Sequence, residues 1–370
     1  MHIPFCKRRC VYCDFYSTTD ASHMRDYIGF MIDEARERRR ELPQHEPIAT
    51  LYMGGGTPSQ LGAQLLARLV DGLRGALPLE QLVEFTIEVN PDDVTPELVW
   101  AMQSLGVNRV SMGIQSLVDS ELRLIRRRHD AHGARRAVDE LRHGGISNIS
   151  VDLIYGIPGQ TLSTWGESVG GVIDLGVQHI SAYNLSYEEG TPLWRMRERG
   201  AVTEVDDETC VAMYRQLVER LKDAGYEHYE ISNFALPGCH SRHNSAYWDG
   251  TPYLGLGAAA HSYDGLVRRY NPADIKLYEQ RIANRSVACD EEVLTCDEQY
   301  DELVMLALRT ARGLDTAIVH DRFGQDRYDY LMRQAQPHIA AGLLTAFAGQ
   351  LRLTADGVML SDAIIRDLFC

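Results

Sequence analysis

The sequence predicts an α/β fold whose first half is a parallel β-sheet with a helix between successive strands. Apolar, strand-like runs alternate with helical stretches up to about residue 186. Such strict alternation indicates parallel strands joined by right-handed crossovers. Counting the first run, HIPF, gives about six units, which favours an open, partial (βα)6 barrel. The alternation then stops, so we expect a C-terminal α+β region.

The elements follow in order along the chain. After HIPF, residues 20–41 predict a charged helix with Asp20 or Ser22 as its cap. The run ATLYMGGG predicts a buried strand, and residues 59–77 return to helical spacing. Four more strands are predicted at EFTIEVN, VNRVSMGIQ, SNISVDLIYG and VQHISAYNLS, separated by helices near 95–104, 119–143 and 161–175.

The remaining chain predicts two further segments. Residues 1–190 would form the partial barrel, residues 191–290 a linking segment with a helix at 206–224 and a strand at YEHYEISNFA, and residues 291–370 a C-terminal unit. That unit has several short helices and a small hairpin, LTAFAG and QLRLT, which resembles a winged-helix cap. It is not notably basic, so a lid or docking role is favoured over DNA binding.

Composition limits the classes of function. The 370 residues carry a formal net charge of −15, and 45% of them are hydrophobic. An acidic surface repels phosphate backbones, so we do not expect nucleic acid as a partner. No apolar run approaches the roughly 18 residues of a membrane-spanning helix. We expect a cytoplasmic protein, without a signal peptide, that associates with a membrane only through a partner.

The most informative stretch is HIPFCKRRCVYCDFYS. It places Cys6, Cys10 and Cys13 within eight residues, with Tyr12 before the last cysteine. Three thiolates this close can share one metal centre, and an iron–sulfur cluster bound by them keeps one iron open to a small molecule. The basic run Lys7–Arg9 should lower the thiol pKa values.

Two other interpretations of the cysteines stay open. One is a Cys3His zinc site with His2 or a later histidine as fourth ligand, although structural zinc usually shows two separated ligand pairs. The other is a disulfide plus a spare thiol, which a cytosolic chain disfavours. The five remaining cysteines are scattered, so we expect buried or incidental thiols there.

The C-x3-C-x2-C motif, within HIPFC and CDFYS, resembles the signature of the radical S-adenosylmethionine (SAM) superfamily. The flanking residues are similar to the branch that holds oxygen-independent coproporphyrinogen III dehydrogenases and haem chaperones of HemW type. The resemblance implies a [4Fe-4S] cluster on Cys6, Cys10 and Cys13 whose open iron chelates SAM. An electron from the cluster then splits the sulfonium to a deoxyadenosyl radical. It also implies a reductant such as a flavodoxin or ferredoxin.

The SAM-site candidates lie where strands end, because ligands of such folds bind there. GGGTPS follows its strand directly, and glycines let the backbone approach a ligand closely. No Gly-Lys-Ser/Thr follows, which disfavours a phosphate loop. Thr57 and Pro58 also suit the start of the next helix. The resemblance puts Gly55, Gly56 and Thr57 at the amino group of SAM.

Four further polar residues are candidates. Glu88 and Gln115 end strands and can bond ribose hydroxyls or a polar ligand edge, and Asp152 needs a partner because it interrupts an apolar strand. From the residues alone, Glu88 could equally form a surface salt bridge and Arg127, within an RRR run, a solvated basic face. The resemblance assigns all four, with Tyr12, to SAM and puts Arg127 near its carboxylate, although three adjacent arginines leave the register open by one.

The stretch CHSRHNSAYWDGTPYLGLGAAAHSY concentrates histidines and aromatic residues. It could form a flat apolar ligand slot, or simply pack over the barrel mouth. Residues 243–248, HNSAYW, match the HNxxYW motif of the haem-chaperone branch. The resemblance therefore makes His243 the first candidate for a haem ligand, with Tyr247 and Trp248 flanking the porphyrin.

Two departures separate this chain from the dehydrogenases. It reads Cys13-Asp14-Phe15 where they carry a Gly-Cys pair, and it starts just before His2, so we expect no substrate-binding N-terminal extension. Met1 stands where relatives usually have a tyrosine that contacts SAM, so either this contact is missing or the true start lies upstream of Met1. The resemblance therefore favours a carrier over an enzyme. Such a carrier binds the cluster, SAM and haem and delivers haem to an acceptor. Respiratory haem proteins are candidate acceptors, and a homodimer is a candidate assembly. The alternative is an oxygen-independent coproporphyrinogen III dehydrogenase of porphyrin biosynthesis.

Overall fold

The computed structural model describes residues 1–42, 47–285 and 289–370. Within these ranges, six parallel strands lie side by side in chain order: β1 (His2–Ile3), β2 (Thr50–Gly55), β3 (Glu84–Val89), β4 (Arg109–Gln115), β5 (Ile149–Tyr155) and β6 (His179–Asn184). The helices between them are α1 (Met24–Arg38), α2 (Gly62–Ala76), α3 (Pro96–Ser104), α4 (Asp119–Leu124), α5 (Ala131–His143) and α6 (Leu162–Asp174). This confirms the predicted α/β class and the parallel barrel-type sheet.

Two helices differ from the prediction in extent. The first begins at Met24 because Asp20 accepts a hydrogen bond from the Ser22 amide (2.9 Å) and closes a turn ahead of the helix. The predicted helix at 119–143 is two helices. Arg126 has a φ of 59°, which ends α4, and the Asp130 side chain caps α5 by accepting from the amide of Gly133 (2.7 Å).

The sheet continues beyond its parallel part. The elements that follow β6 are α7 (Pro192–Glu198), α8 (Asp207–Asp223), β7 (Glu227–Glu230), β8 (Asn233–Ala235) and α9 (Arg242–Trp248). The prediction of a single strand at YEHYEISNFA is wrong, because the chain turns at Ile231 and Ser232. The Ser232 amide donates to the Glu230 carboxylate (3.0 Å) at this turn. Strand β8 pairs antiparallel with β6, and β7 pairs antiparallel with β8.

Two small antiparallel sheets complete the described chain. The first has the strand order β11-β10-β9 and the second β12-β14-β13. Their elements are β9 (His261–Tyr263), β10 (Val267–Tyr270), α10 (Ile275–Ala283), β11 (Asp290–Val293), α11 (Cys296–Leu308), β12 (Leu314–Asp315), α12 (Thr316–Phe323), α13 (Gln325–Ala340), β13 (Leu344–Phe347), β14 (Gln350–Leu353), α14 (Ala355–Val358) and α15 (Ser361–Asp367). The order helix, strand, two helices and hairpin from α11 to β14 is that of a winged helix, as predicted.

Three hydrophobic cores lie in the described residues, and the smallest packs Val11 of the cysteine loop against Ile125, Ile154, Ile157, Leu185 and Leu193. The largest fills the space between the main sheet and its helices and extends to Tyr278 and Ile282, while the second joins side chains from Tyr300 to Leu368. No helix in the part of the chain that the structure describes is long and apolar enough to cross a membrane.

A buried carboxylate attaches the segment after α9 to the barrel. Glu34 on α1 accepts hydrogen bonds from Arg38 (3.1 Å), Asn271 (2.7 Å), the Tyr278 hydroxyl (2.8 Å) and the Gly257 amide (2.8 Å). Its side chain is fully buried. A buried charge with this many partners fixes the position of each one, so α1 and residues 257–278 form one rigid part.

Both edges of the main sheet are covered by later parts of the chain. At the β1 edge, the His2 amide donates to the carbonyl of Leu256 (2.9 Å). At the β7 edge, Glu230 forms an isolated antiparallel bridge with Thr310, and the Ile231 amide donates to the Arg309 carbonyl (3.0 Å).

Candidate functional site

The cysteine loop, residues 5–18, lies over the carboxyl end of β1. Its two ends are joined by the Cys6 amide, which donates to the carbonyl of Thr18 (2.9 Å). Its middle is held on two sides, since the Val11 amide donates to Ile125 (3.5 Å) and the Leu193 amide donates to Val11 (2.9 Å). The loop is therefore fixed between the end of α4 and the start of α7.

The three cysteines of this loop are free thiols. Cys6 is buried, whereas Cys10 and Cys13 are half-buried. The Arg9 guanidinium of the basic run lowers the pKa of Cys6 and of Cys13, as expected, but the net pKa of both thiols is raised. Burial raises the pKa of Cys6 and of Cys13, neighbouring cysteines raise it further, and the opposing effect of the Arg9 guanidinium is smaller. In the described ranges, no three His, Cys, Asp or Glu side chains are placed to hold a single metal ion.

Two of the thiols accept hydrogen bonds from side chains outside the loop. The Thr57 hydroxyl donates to Sγ of Cys6 (3.5 Å), and Nη1 of Arg127 donates to Sγ of Cys10 (3.4 Å). Thr57 therefore faces the loop, and its side chain does not cap the 3₁₀ turn Pro58–Leu61 that follows it. Three free thiols, one guanidinium and one hydroxyl fit a cluster whose separate irons each take one thiolate.

The three adjacent arginines have three different environments. Arg127 also donates through Nη2 to the side-chain oxygen of Asn90 (2.6 Å) and to the carbonyl of Gly113. Arg128 instead pairs with Asp93 (2.9 Å), and Arg126 is exposed. The middle arginine is thus the one that faces the cysteine loop.

Asp93 is a residue of this site that sequence reasoning missed. Its carboxylate accepts from Nζ of Lys7 (2.7 Å) in the cysteine loop and from the Ser59 hydroxyl (3.0 Å) in the glycine loop, as well as from Arg128. It therefore connects three segments far apart in sequence. The available signal was its position in NPDD, directly after a predicted strand.

The glycine loop at the end of β2 is packed against β1 and Glu88. A Cβ on Gly54 would lie 2.7 Å from Oε1 of Glu88, and one on Gly56 would lie 2.8 Å from the carbonyl oxygen of Ile3. Gly55 has a φ of +109°, which favours glycine. Its amide donates to Oε2 of Glu88 (3.1 Å). The glycines therefore bring the backbone against this carboxylate.

Glu88 has a second donor that the sequence did not suggest, the hydroxyl of Tyr52 (2.7 Å). Burial raises the pKa of Glu88 to about 7, against the smaller opposing effect of the Tyr52 hydrogen bond. The signal for Tyr52 was the two-residue period of a strand, which puts Thr50, Tyr52 and Gly54 on one face of β2.

The remaining SAM candidates lie on the neighbouring strands. Asp152 on β5 accepts from the Ser111 hydroxyl (3.5 Å), and burial raises its pKa. Gln115 ends β4 with a φ of 72°, at an irregularity in the pairing with β5, and its side chain is buried. Tyr12 lies beside Cys10 and Arg127, and burial raises the pKa of its hydroxyl. The structure thus places these candidates at one end of the sheet.

The HNSAYW segment forms α9, which lies directly on β2 and β3. The Glu84 carboxylate on β3 accepts the backbone amides of Arg242 and His243 (2.9 Å each). The His243 ring stacks on Tyr52 with centroids 4.9 Å apart and planes at 18°. The candidate haem residue and the candidate SAM residue Glu88 therefore share Tyr52 as a direct neighbour.

Both ring nitrogens of His243 are engaged. Nδ1 shares a hydrogen bond with the Thr50 hydroxyl (2.8 Å), and Nε2 shares one with the Tyr247 hydroxyl (3.1 Å). Burial lowers the pKa of His243 to about 3, so the ring is neutral near pH 7.

Trp248 lies on a different face of α9. The Arg309 guanidinium sits 5.2 Å from its ring centroid, and its buried indole N–H has no hydrogen-bond partner among the described residues. Trp248 lines a cavity of about 630 Å³ between α9 and the C-terminal unit, together with Tyr263, Leu303 and Arg312 among others. The structure therefore brings His243 and Tyr247 together, and it does not bring Trp248 to them.

Comparisons with known proteins agree on one family. A model of the radical SAM superfamily matches residues 1–170, and a model of the HemN C-terminal domain matches residues 294–360. Heme chaperone HemW of Mycobacterium tuberculosis (strain H37Rv) is 35% identical over 100% of this chain and 93% of its own. Heme chaperone HemW of Lactococcus lactis is 36% identical over 85% of this chain and 81% of its own.

A solved structure shares the fold. Coproporphyrinogen III oxidase (HemN) from Escherichia coli superposes with a TM-score of 0.86 over 100% of this chain and 88% of that chain. The two sequences are 23% identical, so this likeness concerns the fold alone.

Proposed function

The chain belongs to the HemW family within the radical SAM superfamily, and from that premise we propose that it binds a [4Fe-4S] cluster, SAM and haem and delivers haem to an acceptor protein. One observation carries the proposal. Tyr52 contacts both Glu88, at the candidate SAM site, and His243, in the HNSAYW helix. An arrangement in which one side chain contacts both sites suits a protein that handles both ligands.

In this proposal Cys6, Cys10 and Cys13 hold the cluster, which supplies one-electron chemistry at SAM when both are bound. Thr57 and Arg127 donate hydrogen bonds to the cysteine sulfurs and so offset the thiolate charge. Tyr12 shields this part of the loop from water. A flavodoxin or a ferredoxin would supply the electron.

The SAM site would extend across the strand ends. Glu88 would accept hydrogen bonds from the ribose, and Gly55 with Gly56 would hold that carboxylate in place and leave room for the amino acid part of SAM. Gln115 and Asp152 would bond its other polar edges. Arg127 would hold the SAM carboxylate, since its guanidinium already lies beside Cys10.

For haem, we propose His243 as the ligand of the iron. Burial lowers the pKa of His243 to about 3, and the neutral imidazole is the form that binds metals. Its Nε2 shares a hydrogen bond with Tyr247, so haem binding requires that bond to break. Trp248 would then contact the porphyrin only if α9 rotates, because the two side chains face different parts of the fold.

The acceptor would be a haem-dependent protein, with respiratory proteins as candidates. The chain would deliver haem to it in the cytoplasm, or at a membrane that holds the acceptor. A homodimer is the proposed assembly.

The test begins with anaerobic reconstitution with iron and sulfide, followed by titration with haem. We expect a saturable Soret band in the wild type and in His240→Ala, a matched control whose histidine pairs with Glu227 on the surface. The band should be lost or shifted in His243→Ala. Tyr247→Phe, which removes the competing hydroxyl, should bind haem more tightly.

A second arm supplies coproporphyrinogen III, SAM and a reductant. We expect no decarboxylated porphyrinogen. Formation of protoporphyrinogen with turnover would overturn the chaperone proposal in favour of the dehydrogenase. An unchanged haem affinity and spectrum in His243→Ala would remove this histidine from the proposal.

A further inference from the structure

Arg109, the first residue of β4, is a buried cation without a direct partner. It is 1% exposed, and its Nε has no hydrogen-bond partner among the described residues. In the part of the chain that the structure describes, no hydrogen bond or ion pair reaches the rest of its guanidinium. Arg38, which is 3% exposed, is by contrast bonded to two carboxylates, a hydroxyl and a carbonyl. A buried charge without a partner destabilises a fold, so the packing of the chain alone does not explain Arg109.

The Arg109 side chain faces the interior of the barrel. Val110 and Met112 belong to the core between the sheet and its helices, so the alternate residues of β4 point the other way. Thr86 on β3 is the register partner of Arg109, and its buried hydroxyl also has no hydrogen-bond partner among the described residues. Two polar groups on neighbouring strands of the interior are therefore left without a partner.

The carboxylates on this face of the sheet are bonded to other donors. Glu84 binds the two backbone amides that begin α9 (2.9 Å each), and Glu88 binds a tyrosine hydroxyl (2.7 Å) and a glycine amide (3.1 Å). Burial raises the pKa of Asp152, and the positive charge of Arg109 opposes this rise, yet no ion pair among the described residues joins the two side chains. The guanidinium therefore keeps free donors for an anion that the described chain does not supply.

Arg109 lies at the same end of the barrel as the haem candidate His243. Thr50, Glu84 and Arg109 are the first residues of their strands, and His243 bonds Thr50 through its ring and Glu84 through its amide. Burial lowers the pKa of His243, and the positive charge of Arg109 lowers it further. The SAM candidate Gln115 ends β4, about 20 Å away along the strand. Arg109 is therefore near the place proposed for haem and far from the place proposed for SAM.

The spacing between His243 and Arg109 fits a porphyrin. The register pairs Tyr52 with Thr86 and Thr86 with Arg109, so the α-carbons of Tyr52 and Arg109 are two strand spacings apart, about 10 Å. The His243 ring stacks on Tyr52. In haem, a comparable distance separates the iron at the centre from the propionate carboxylates at the rim.

We propose that Arg109 binds a propionate carboxylate of the haem whose iron is held by His243. The inference rests on the proposed function, because it adds a second contact to the same ligand. A guanidinium binds a carboxylate through two parallel hydrogen bonds, which also fix the orientation of the ligand. Arg109 is then paired only when haem is bound, and the ligand-free chain carries an unpaired buried charge.

The first test measures the stability of the cluster-free and haem-free chain by urea denaturation. Arg109→Met replaces an unpaired buried charge by an apolar side chain, so the midpoint should rise. The matched control Arg38→Met removes a paired guanidinium and should lower the midpoint, because Glu34 and Glu41 lose a donor. A lower midpoint in Arg109→Met would make Arg109 a structural residue and overturn the inference.

The second test titrates haem and haem dimethyl ester, whose propionates carry no charge, and follows the Soret band. Arg109→Met should bind haem at least about tenfold more weakly than the wild type does, because one charged contact is lost. The ester should bind both proteins alike, and His243→Ala should weaken the binding of both ligands. A loss of SAM affinity with intact haem affinity would assign Arg109 to the SAM carboxylate and overturn the inference.

The porphyrin titrations also separate this inference from the proposed function. If the wild type and Arg109→Met bind haem equally well, the propionate contact fails and the haem proposal stands. If the wild type binds neither haem nor its ester, the proposed function fails, and the propionate contact fails with it.

Discussion

The titration of Glu88 gives the sharpest prediction about the SAM site. Its carboxylate accepts hydrogen bonds from Tyr52 and Gly55, and burial raises its pKa to about 7 from the 4.5 of an unburied glutamate. If the ionised form accepts the ribose hydroxyls, SAM affinity should rise with pH across neutrality. The sign follows from the raised pKa, because the carboxyl group binds a proton below pH 7 and loses the acceptor that the ribose needs.

The magnitude follows from the ionised fraction. With a pKa of about 7, roughly one carboxyl in ten is ionised at pH 6 and roughly nine in ten at pH 8. The apparent Kd scales inversely with the competent fraction, so SAM should bind about tenfold more weakly at pH 6 than at pH 8. Tyr52→Phe removes a hydrogen bond that lowers this pKa and should move the midpoint to higher pH.

The assay is equilibrium binding of SAM to the reconstituted protein between pH 6 and pH 8. Glu88→Gln is the control, because an amide does not titrate and its profile contains every other pH effect, including that of the SAM amine. We expect the wild type to show a step that Glu88→Gln lacks. Parallel profiles for the two proteins would refute the argument that Glu88 binds the ribose as a carboxylate.

Three other predictions concern the cluster, the buried carboxylate of Glu34 and the start of α9. Cys10→Ala should lose most bound iron and sulfide by chemical assay, whereas Cys210→Ala should keep them; full iron content in Cys10→Ala would exclude a cluster on this loop. Glu34→Ala should lower the free energy of unfolding, measured by urea denaturation, by about 3 kcal/mol, because the buried Asn271 and Tyr278 side chains and the Gly257 amide lose their acceptor while Arg38 keeps Glu41, and the reasoning fails if the loss is under about 1 kcal/mol. Glu84→Ala should destabilise the start of α9 by about 1 kcal/mol, seen as faster amide hydrogen exchange at residues 242–248. Unchanged exchange would show that the Glu84 carboxylate does not stabilise the helix start.

The parallel sheet could be predicted because its signal is local. Each strand of the first half is an apolar run followed by polar or glycine residues, and each is separated from the next by a helical stretch. The turn at Ile231 and Ser232 could not be placed in this way, since it depends on contacts with Glu230 and Arg309 rather than on a glycine or proline. The break at Arg126 likewise follows from a left-handed residue in a run of good helix formers.

The site residues likewise divide into those with a local signal in the sequence and those without one. Glu88 and Gln115 were predicted because they end strands, and Asp152 because it interrupts one, but Tyr52 and Asp93 act through contacts between segments that lie far apart in sequence. Partners of that kind leave no pattern in a single stretch of sequence.

The separation of Trp248 from His243 could have been predicted from helix geometry. Five residues of helix correspond to about 500°, which turns Trp248 about 140° away from His243, whereas Tyr247 is one turn above it. The HNSAYW motif therefore forms a helix in which His243 and Tyr247 share one face and Trp248 lies on another, rather than a flat ligand slot.

The covered edges of the main sheet have a consequence for how the protein is made. A strand edge offers unpaired amides and carbonyls to any other chain, and newly synthesised proteins emerge amino end first. The edge at His2 stays open until Leu256 has left the ribosome, and the edge at β7 stays open until Thr310 follows. A nascent chain that stalls between these points, or a fragment cut before α11, would carry a bare strand edge with the buried Glu230 deprived of Arg309, and so would be prone to pair with its own copies.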